Sequence, residues 1–245
     1  MDILIYNGPG VDQPSLHNIH QCIKRHIPDT LNIIQVDADY LGKESWPDKT
    51  RLVIIPGGRD LPYVAALGPP IISRIQRFVH EGGSYLGICA GAYFAANRVE
   101  FEVGREDYEV VGDRDLRFIN GVAKGAAFHG FEYGSDQGAL VVPITSPWFT
   151  NPIPMYCNGG PYFDLDPDAA KSCDVIGRYE DGRIAIVSSP YGNGRVLVSG
   201  VHFEYDPSNA ATGSDHVHIT DQLLPHSQSI SSFTRKLFVH LSICE

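Results

Sequence analysis

One run of five residues, Gly87-Ile88-Cys89-Ala90-Gly91, carries the strongest chemical signal in the chain. The apolar stretch Ser84–Ile88 runs into it as a strand, and the small-residue stretch Ala90–Asn97 leaves it as a helix. A cysteine at that junction, with glycine two residues before and two after, has the layout of a nucleophile elbow. The turn is so sharp that larger side chains at 87 and 91 would collide. It lifts the thiol clear of the sheet and sets it near a helix N-terminus, whose dipole favours thiolate. An isolated Cys89 would read as a small buried apolar residue. The paired glycines and the strand–helix setting favour the nucleophile.

Such a thiol wants a base within hydrogen-bond reach and a third group to orient the base. Of ten histidines, His202 is the best placed, in Ser199-Gly200-Val201-His202-Phe203-Glu204 directly after a predicted strand. Residues i and i+2 of extended backbone point to one side, so Glu204 can reach the imidazole and fix its tautomer. Pro56-Gly57-Gly58-Arg59-Asp60 ends another predicted strand, at the sheet edge where open α/β folds bind ligands. A Gly57 or Gly58 amide and the Ala90 amide are the expected oxyanion hole. Gly-Gly would equally serve an ordinary strand-to-helix turn.

The elements that must position these groups follow from hydrophobic periodicity. Strands are expected at Ile3–Tyr6, Leu31–Val36, Leu52–Ile55 and Ser84–Ile88. A helix carrying Leu16, Ile19 and Ile23, with Pro14 in its first turn, lies between the first two strands. A second helix spans Pro69–Glu81, stopped by Gly82-Gly83. Continuous apolar strands separated by helices indicate a parallel sheet covered on both faces. From about residue 100 to 163 the helical period is lost, and a mostly β, aromatic-rich insertion is expected within one domain spanning 1–245. Its aromatics include Phe128, Phe131, Tyr133, Trp148, Phe149, Tyr156, Tyr162 and Phe163. Strands return at Val175–Tyr179, Ile184–Ser188 and Val196–Ser199. The last two form a hairpin over Tyr191-Gly-Asn-Gly194, and an amphipathic helix closes the chain at Ser229–Ile243.

Composition excludes several classes. The 245 residues are 43% hydrophobic and 20% charged, as in a globular protein rather than a disordered one. A net charge of −10 argues against nucleic acid and against anionic membranes as partners. The five cysteines are odd in number and show no C-x-x-C spacing, so neither a zinc site nor a full disulfide framework is expected. A reduced, cytoplasmic setting fits. The N-terminus has no basic n-region, so no signal peptide is expected, and no apolar run reaches membrane-spanning length. Gly8-Pro9-Gly10 is not a dinucleotide fingerprint, and no P-loop occurs. His216-Val217-His218 reads as a solvated loop rather than a metal site, and the acidic run Glu100–Glu109 as a solvated face. No metal and no cofactor is expected.

Several motifs together resemble a known family. The elbow, the preceding Pro-Gly-Gly and Gly200-Val-His-Phe-Glu204 look like the class I glutamine amidotransferase-like fold. That resemblance implies a flavodoxin-like, doubly wound, mostly parallel α/β sandwich with a Cys-His-Glu triad. Within it, five motifs are similar to the amidotransferase-like N-terminal domain of eukaryotic, especially fungal, biotin–protein ligases. They are Tyr6-Asn-Gly-Pro-Gly10, Pro56-Gly-Gly-Arg-Asp-Leu-Pro-Tyr63, Tyr85–Phe94, Phe128-His-Gly-Phe131 and Tyr156-Cys-Asn-Gly-Gly160. The resemblance implies Cys89 as nucleophile, His202 as base and Glu204 as orienter. It also places Asn158, Gly159 and Gly160 beside a small-molecule site that includes Arg59, Asp60 and Tyr93. Two positions depart from the amidotransferase pattern: Tyr93 stands where glutamine is usual, and Phe203 where proline is usual. The chain shows no Gly-Arg-Gly-Arg loop for an activated biotin, so ligase activity is not expected of it. Two functions remain open. One is a cysteine-dependent hydrolase or amide-transfer activity on a small amide or acyl substrate. The other is a non-catalytic binding or regulatory module that keeps the pocket.

Overall fold

The computed structural model describes residues 1–209 and 217–244. Its first half alternates β1 (Asp2–Tyr6), α1 (Gln13–His26), β2 (Asn32–Val36), α2 (Ala38–Leu41), β3 (Thr50–Ile55), α3 (Asp60–His80), β4 (Ser84–Ile88) and α4 (Ala90–Ala95). Strands then dominate: β5 (Ala96–Phe101), β6 (Val110–Asp113), β7 (Ile119–Gly125), β8 (Leu140–Ile144), β9 (Ile153–Cys157) and β10 (Tyr162–Leu165). The chain continues through α5 (Ala169–Ser172), β11 (Asp174–Arg178), β12 (Ile184–Tyr191), β13 (Gly194–Ser199), α6 (Val217–Leu223) and α7 (Ser227–His240).

The sheet runs in the order β2-β1-β3-β4-β13-β12-β10-β7-β5-β6, with β11 on β12. From β2 to β13 every pairing is parallel. Alternation along each strand explains why helices must cover both faces. Ile3, Ile5, Leu52, Ile54 and Leu86 join Leu16, Ile19 and Ile23 of α1 and Phe233 and Leu237 of α7 in one core. Leu4, Tyr6, Val53, Ile55 and Tyr85 join Tyr63, Ile72 and Ile75 of α3 in the other. This is the doubly wound arrangement of a parallel sheet, buried on both sides.

Local chemistry sets the element ends. Asp12 caps α1 by accepting from Ser15 N–H at 2.9 Å, and Pro14 lies in the first turn. The α3 segment holds the expected helix from Pro69 and, ahead of it, a further helical stretch from Asp60. Gly68 interrupts it at φ 54°, ψ 169°, because the proline after it excludes helical backbone. Tyr191 pairs with Gly194 across a two-residue turn, with Gly192 at φ 58°.

In the expected β-rich insertion, β5, β6, β7 and β10 extend the sheet beyond β12, while β8 and β9 form a separate ribbon. Two sequence expectations change. The acidic run does not form a solvated face throughout, since Glu102 accepts from the Ala126 amide and pairs with Arg105. Of the expected loop His216-Val217-His218, His216 lies outside the described residues. Val217 begins helix α6 instead, because Ile219 and Leu223, four apart, are both buried.

Candidate active site

Cys89 sits between β4 and α4 at φ 50°, ψ −105°, a backbone conformation that L-residues rarely adopt. Both flanking glycines are required by close approaches. A Cβ on Gly87 would lie 2.4 Å from the Gly91 carbonyl oxygen, and one on Gly91 would lie 1.9 Å from that of Ile55. Backbone bonds hold the turn from neighbouring strands. Cys89 N–H donates to Ser199 O at 2.8 Å and Gly91 N–H to Pro56 O at 3.2 Å. The Tyr85 hydroxyl donates to Gly91 O at 2.8 Å.

His202 and Glu204 follow β13, which lies beside β4. Glu204 Oε1 is 2.7 Å from His202 Nδ1, and both side chains are buried. The pair forms across a turn rather than on extended backbone: Tyr205 N–H returns to His202 O at 3.2 Å. Phe203, between them, is buried in the core under α7. The imidazole packs on the Tyr156 ring at 5.2 Å, and His202 N–H donates to Tyr156 O at 2.8 Å. With Nδ1 on Glu204, Nε2 is the ring nitrogen left toward Cys89, whose thiol acts electrostatically on the imidazole. Burial pushes the His202 pKa down, but Glu204 and the Cys89 contact outweigh it and hold it well above 6.5. Cys89 Sγ also lies 3.7 Å from the main-chain oxygen of Asn158.

The Gly57–Gly58 loop passes the other side of the imidazole. A Cβ on Gly57 would come within 3.0 Å of His202 Cε1. Its amide is already engaged, donating to the buried Ser15 Oγ at 2.9 Å. Of the two expected amides, that of Gly57 is therefore not free. Among the described residues the amides of Gly58 and Ala90 donate to no protein group. The Tyr63 hydroxyl, at 3.0 Å from Gly57 O, clamps the same loop.

The remaining expected site residues divide. Arg59 is exposed, with its guanidinium 4.0 Å over the Tyr133 ring. Asp60 is not available to a substrate, because its carboxylate holds the buried Arg114 guanidinium at 2.6 Å. Tyr93 is buried under Phe101 and donates its hydroxyl to Gly159 O at 3.0 Å. Gly159 takes φ 72° against the Phe131 ring, and Gly160 packs so close to Gly200 O that a Cβ would lie 1.8 Å from it. Asn158 Nδ2 reaches Ser135 O at 3.4 Å, tying this loop to the stretch that carries Phe131 and Tyr133. Cys157 turns its thiol toward Gly200 O, and burial pushes its pKa up to about 12. Ser15, Tyr63, Arg114 and Tyr156 carry no local sequence signal as supports of the site. Ser15 and Arg114 act across 42 and 54 residues, Tyr63 across only six or seven.

The family model described as biotin-protein ligase, N terminal, matches residues 1–244. The chain belongs to that family. It is 36% identical to biotin–protein ligase of Schizosaccharomyces pombe over 84% of its length, but spans only 33% of that enzyme. It is 33% identical to an uncharacterised protein of Chlamydia muridarum, covering 98% of this chain and 94% of that one. A crystal structure of a glutamine amidotransferase superposes with a TM-score of 0.56 at 17% identity, covering 94% of this chain and 98% of the other. At that identity the likeness is one of fold. The fold of this biotin–protein ligase N-terminal-like domain is thus glutamine amidotransferase-like, and no helix among its described residues is long and apolar enough to cross a membrane.

Proposed function

We propose that this chain is a cysteine-dependent hydrolase or amidotransferase-like enzyme, acting on a small amide or acyl substrate through Cys89, His202 and Glu204. The observation that supports this most is one buried imidazole held between a carboxylate and the elbow cysteine. Nδ1 is fixed by a buried carboxylate, and the opposite edge meets a thiol on a strained elbow. Strain of about 1–3 kcal/mol at a single residue persists only where the surroundings enforce it.

The reaction follows from the parts. Cys89 Sγ attacks the carbonyl carbon, and its proton passes to His202 Nε2. The carbonyl π pair moves onto oxygen, where the Ala90 and Gly58 amides donate to it. His202 then protonates the leaving nitrogen or oxygen as that bond breaks, leaving a thioester. Water, deprotonated by His202, attacks the thioester and releases a carboxylic acid and the thiol. Glu204 keeps the proton on Nδ1 throughout and balances the imidazolium.

Alkylation of the full chain with iodoacetamide at pH 8, followed by peptide mapping, tests this. Cys89 is expected to react first and His202→Ala to slow it. Burial keeps the Cys157 thiol protonated at pH 8, so it is expected to stay unlabelled. Equal labelling of the cysteines would refute the reading. The tether of Tyr93 to Gly159 favours a second reading, a binding module that keeps the pocket without turnover. Ligands that raise the melting temperature of both wild type and Cys89→Ser, with no product from any of them, would support that alternative.

A further inference from the structure

Beside the Gly57–Gly58 loop stands a four-tier stack that includes Arg59. Arg105 lies 3.8 Å over Tyr108, Tyr108 stacks on Tyr133 at 5.2 Å and 8°, and Arg59 lies 4.0 Å over Tyr133. The two arginines end in different circumstances. Arg105 is held by Glu102 and Glu132. Arg59 is exposed and pairs with no carboxylate among the described residues. Nearby acids are already engaged: Asp60 holds Arg114, and Asp12 caps α1. In a chain of net charge −10, a free guanidinium held by stacking is unusual. Arg59 N–H donates to Gly10 O at 2.8 Å, so its backbone is fixed one residue after Gly58. Ring contacts lead from the stack to α4 beside Cys89: Tyr133 meets Phe101 at 6.2 Å, and Phe101 meets Tyr93 at 5.5 Å.

We propose that Arg59, oriented by Tyr133, forms an anion subsite that selects substrates bearing a carboxylate a few atoms from the carbon attacked by Cys89. The physical basis is the planar fork of guanidinium donors, which matches a carboxylate in bidentate fashion. Stacking on Tyr133 removes much of the side-chain freedom that binding would otherwise have to quench. This rests on Cys89 being the nucleophile proposed above.

Two electrophiles of nearly equal size test it on the full chain: iodoacetate, which carries a carboxylate, and iodoacetamide, which does not. With either, Sγ forms a bond to the methylene carbon as iodide leaves, and the thiol proton passes to His202. Rates of Cys89 modification are measured for wild type, Arg59→Gln and Arg59→Lys. The neutral probe reports in each variant whether the site is intact. The ratio of iodoacetate to iodoacetamide rates is expected to fall about tenfold in Arg59→Gln and by less in Arg59→Lys, the size of one charge-assisted contact. Added salt should shrink the wild-type ratio toward that of Arg59→Gln. Brisk reaction with both probes and a ratio independent of residue 59 would overturn the subsite alone. A Cys89 inert to both probes in the wild type would overturn the nucleophile reading, and the subsite with it.

Discussion

Gly91→Ala sets two effects of opposite sign against each other. Gly91 lies in the first turn of α4, where alanine is favoured over glycine by up to about 1 kcal/mol. Propensity alone therefore predicts a more stable protein. The packing predicts the reverse. The new Cβ would lie 1.9 Å from Ile55 O, 2.7 Å from Ile55 C and 3.1 Å from Ile55 Cβ. Ordinary contact begins at 3.4 Å, so α4 and β3 would have to part by more than an ångström. Neither can yield easily. Ile55 is fully buried and ends a strand paired on β4. Gly91 is tied through its amide to Pro56 O and through its carbonyl to the Tyr85 hydroxyl. Overpacking costs about 1–3 kcal/mol, and this site belongs at the upper end because the opposing atoms are backbone. The net loss is about 2 kcal/mol, or a fall of about 4–8 °C in Tm for a chain of this length. The displacement also moves Cys89 and the Ala90 amide, and about 1 Å of misplacement can cost about a hundredfold in rate. Urea unfolding and the iodoacetamide rate at Cys89 read the two effects separately. A Gly91→Ala protein as stable as wild type, with Cys89 equally reactive, would show that the close approach does not exist.

Two further outcomes follow from the same geometry. Glu204→Gln keeps an oxygen for Nδ1–H but removes the charge, so the His202 pKa should drop from above 6.5 to below it, as burial then dominates. The ring Cε1 proton, followed by NMR titration, reports this directly. In the wild type the raised pKa means that His202 contributes most stability below pH 6.5 and loses that contribution as pH rises through the folded-state value, a slope the variant should lack. Tyr93→Phe leaves Gly159 O without its donor at 3.0 Å, which should cost about 1–2 kcal/mol and lower Tm by a few degrees. Unchanged denaturant midpoints would count against that bond.

What was legible in the sequence depended on range. The elbow is a local solution to a local problem, so Gly87, Cys89 and Gly91 announce it within five residues. The apolar strands of the parallel half were equally plain. The support of the site was not. Ser15 and Gly57 are 42 residues apart, and Asp60 and Arg114 are 54 apart. A lone serine in a helix and a lone arginine in a β-rich stretch carry no mark of their partners. Gly68-Pro69-Pro70 is indeed a boundary; the helical stretch before it was hidden because its stability comes from tertiary packing of Tyr63 and Leu67 rather than from a local signal. The order β12-β10-β7-β5 could not be read either, since alternating strands state which face is buried but not which neighbour they take.

The site is built from two kinds of structure, and they should respond differently to change. Cys89, His202 and Glu204 stand on β4 and the end of β13, fixed by strand pairing, fully buried neighbours and glycines that admit no Cβ. Arg59, Tyr133 and Tyr108 stand on loops and meet chiefly through ring and guanidinium faces. Substitution in the first group displaces the reacting atoms together, as Gly91→Ala is expected to show. Substitution in the stack changes which ligand is held while leaving the sulfur, imidazole and carboxylate in register. Tyr133→Leu is the sharpest case. It removes the platform under Arg59 but touches neither α4 nor the turn after β13, so its expected effect is on the iodoacetate preference rather than on the iodoacetamide rate. A loss of both together would mean that the stack also holds the elbow in place.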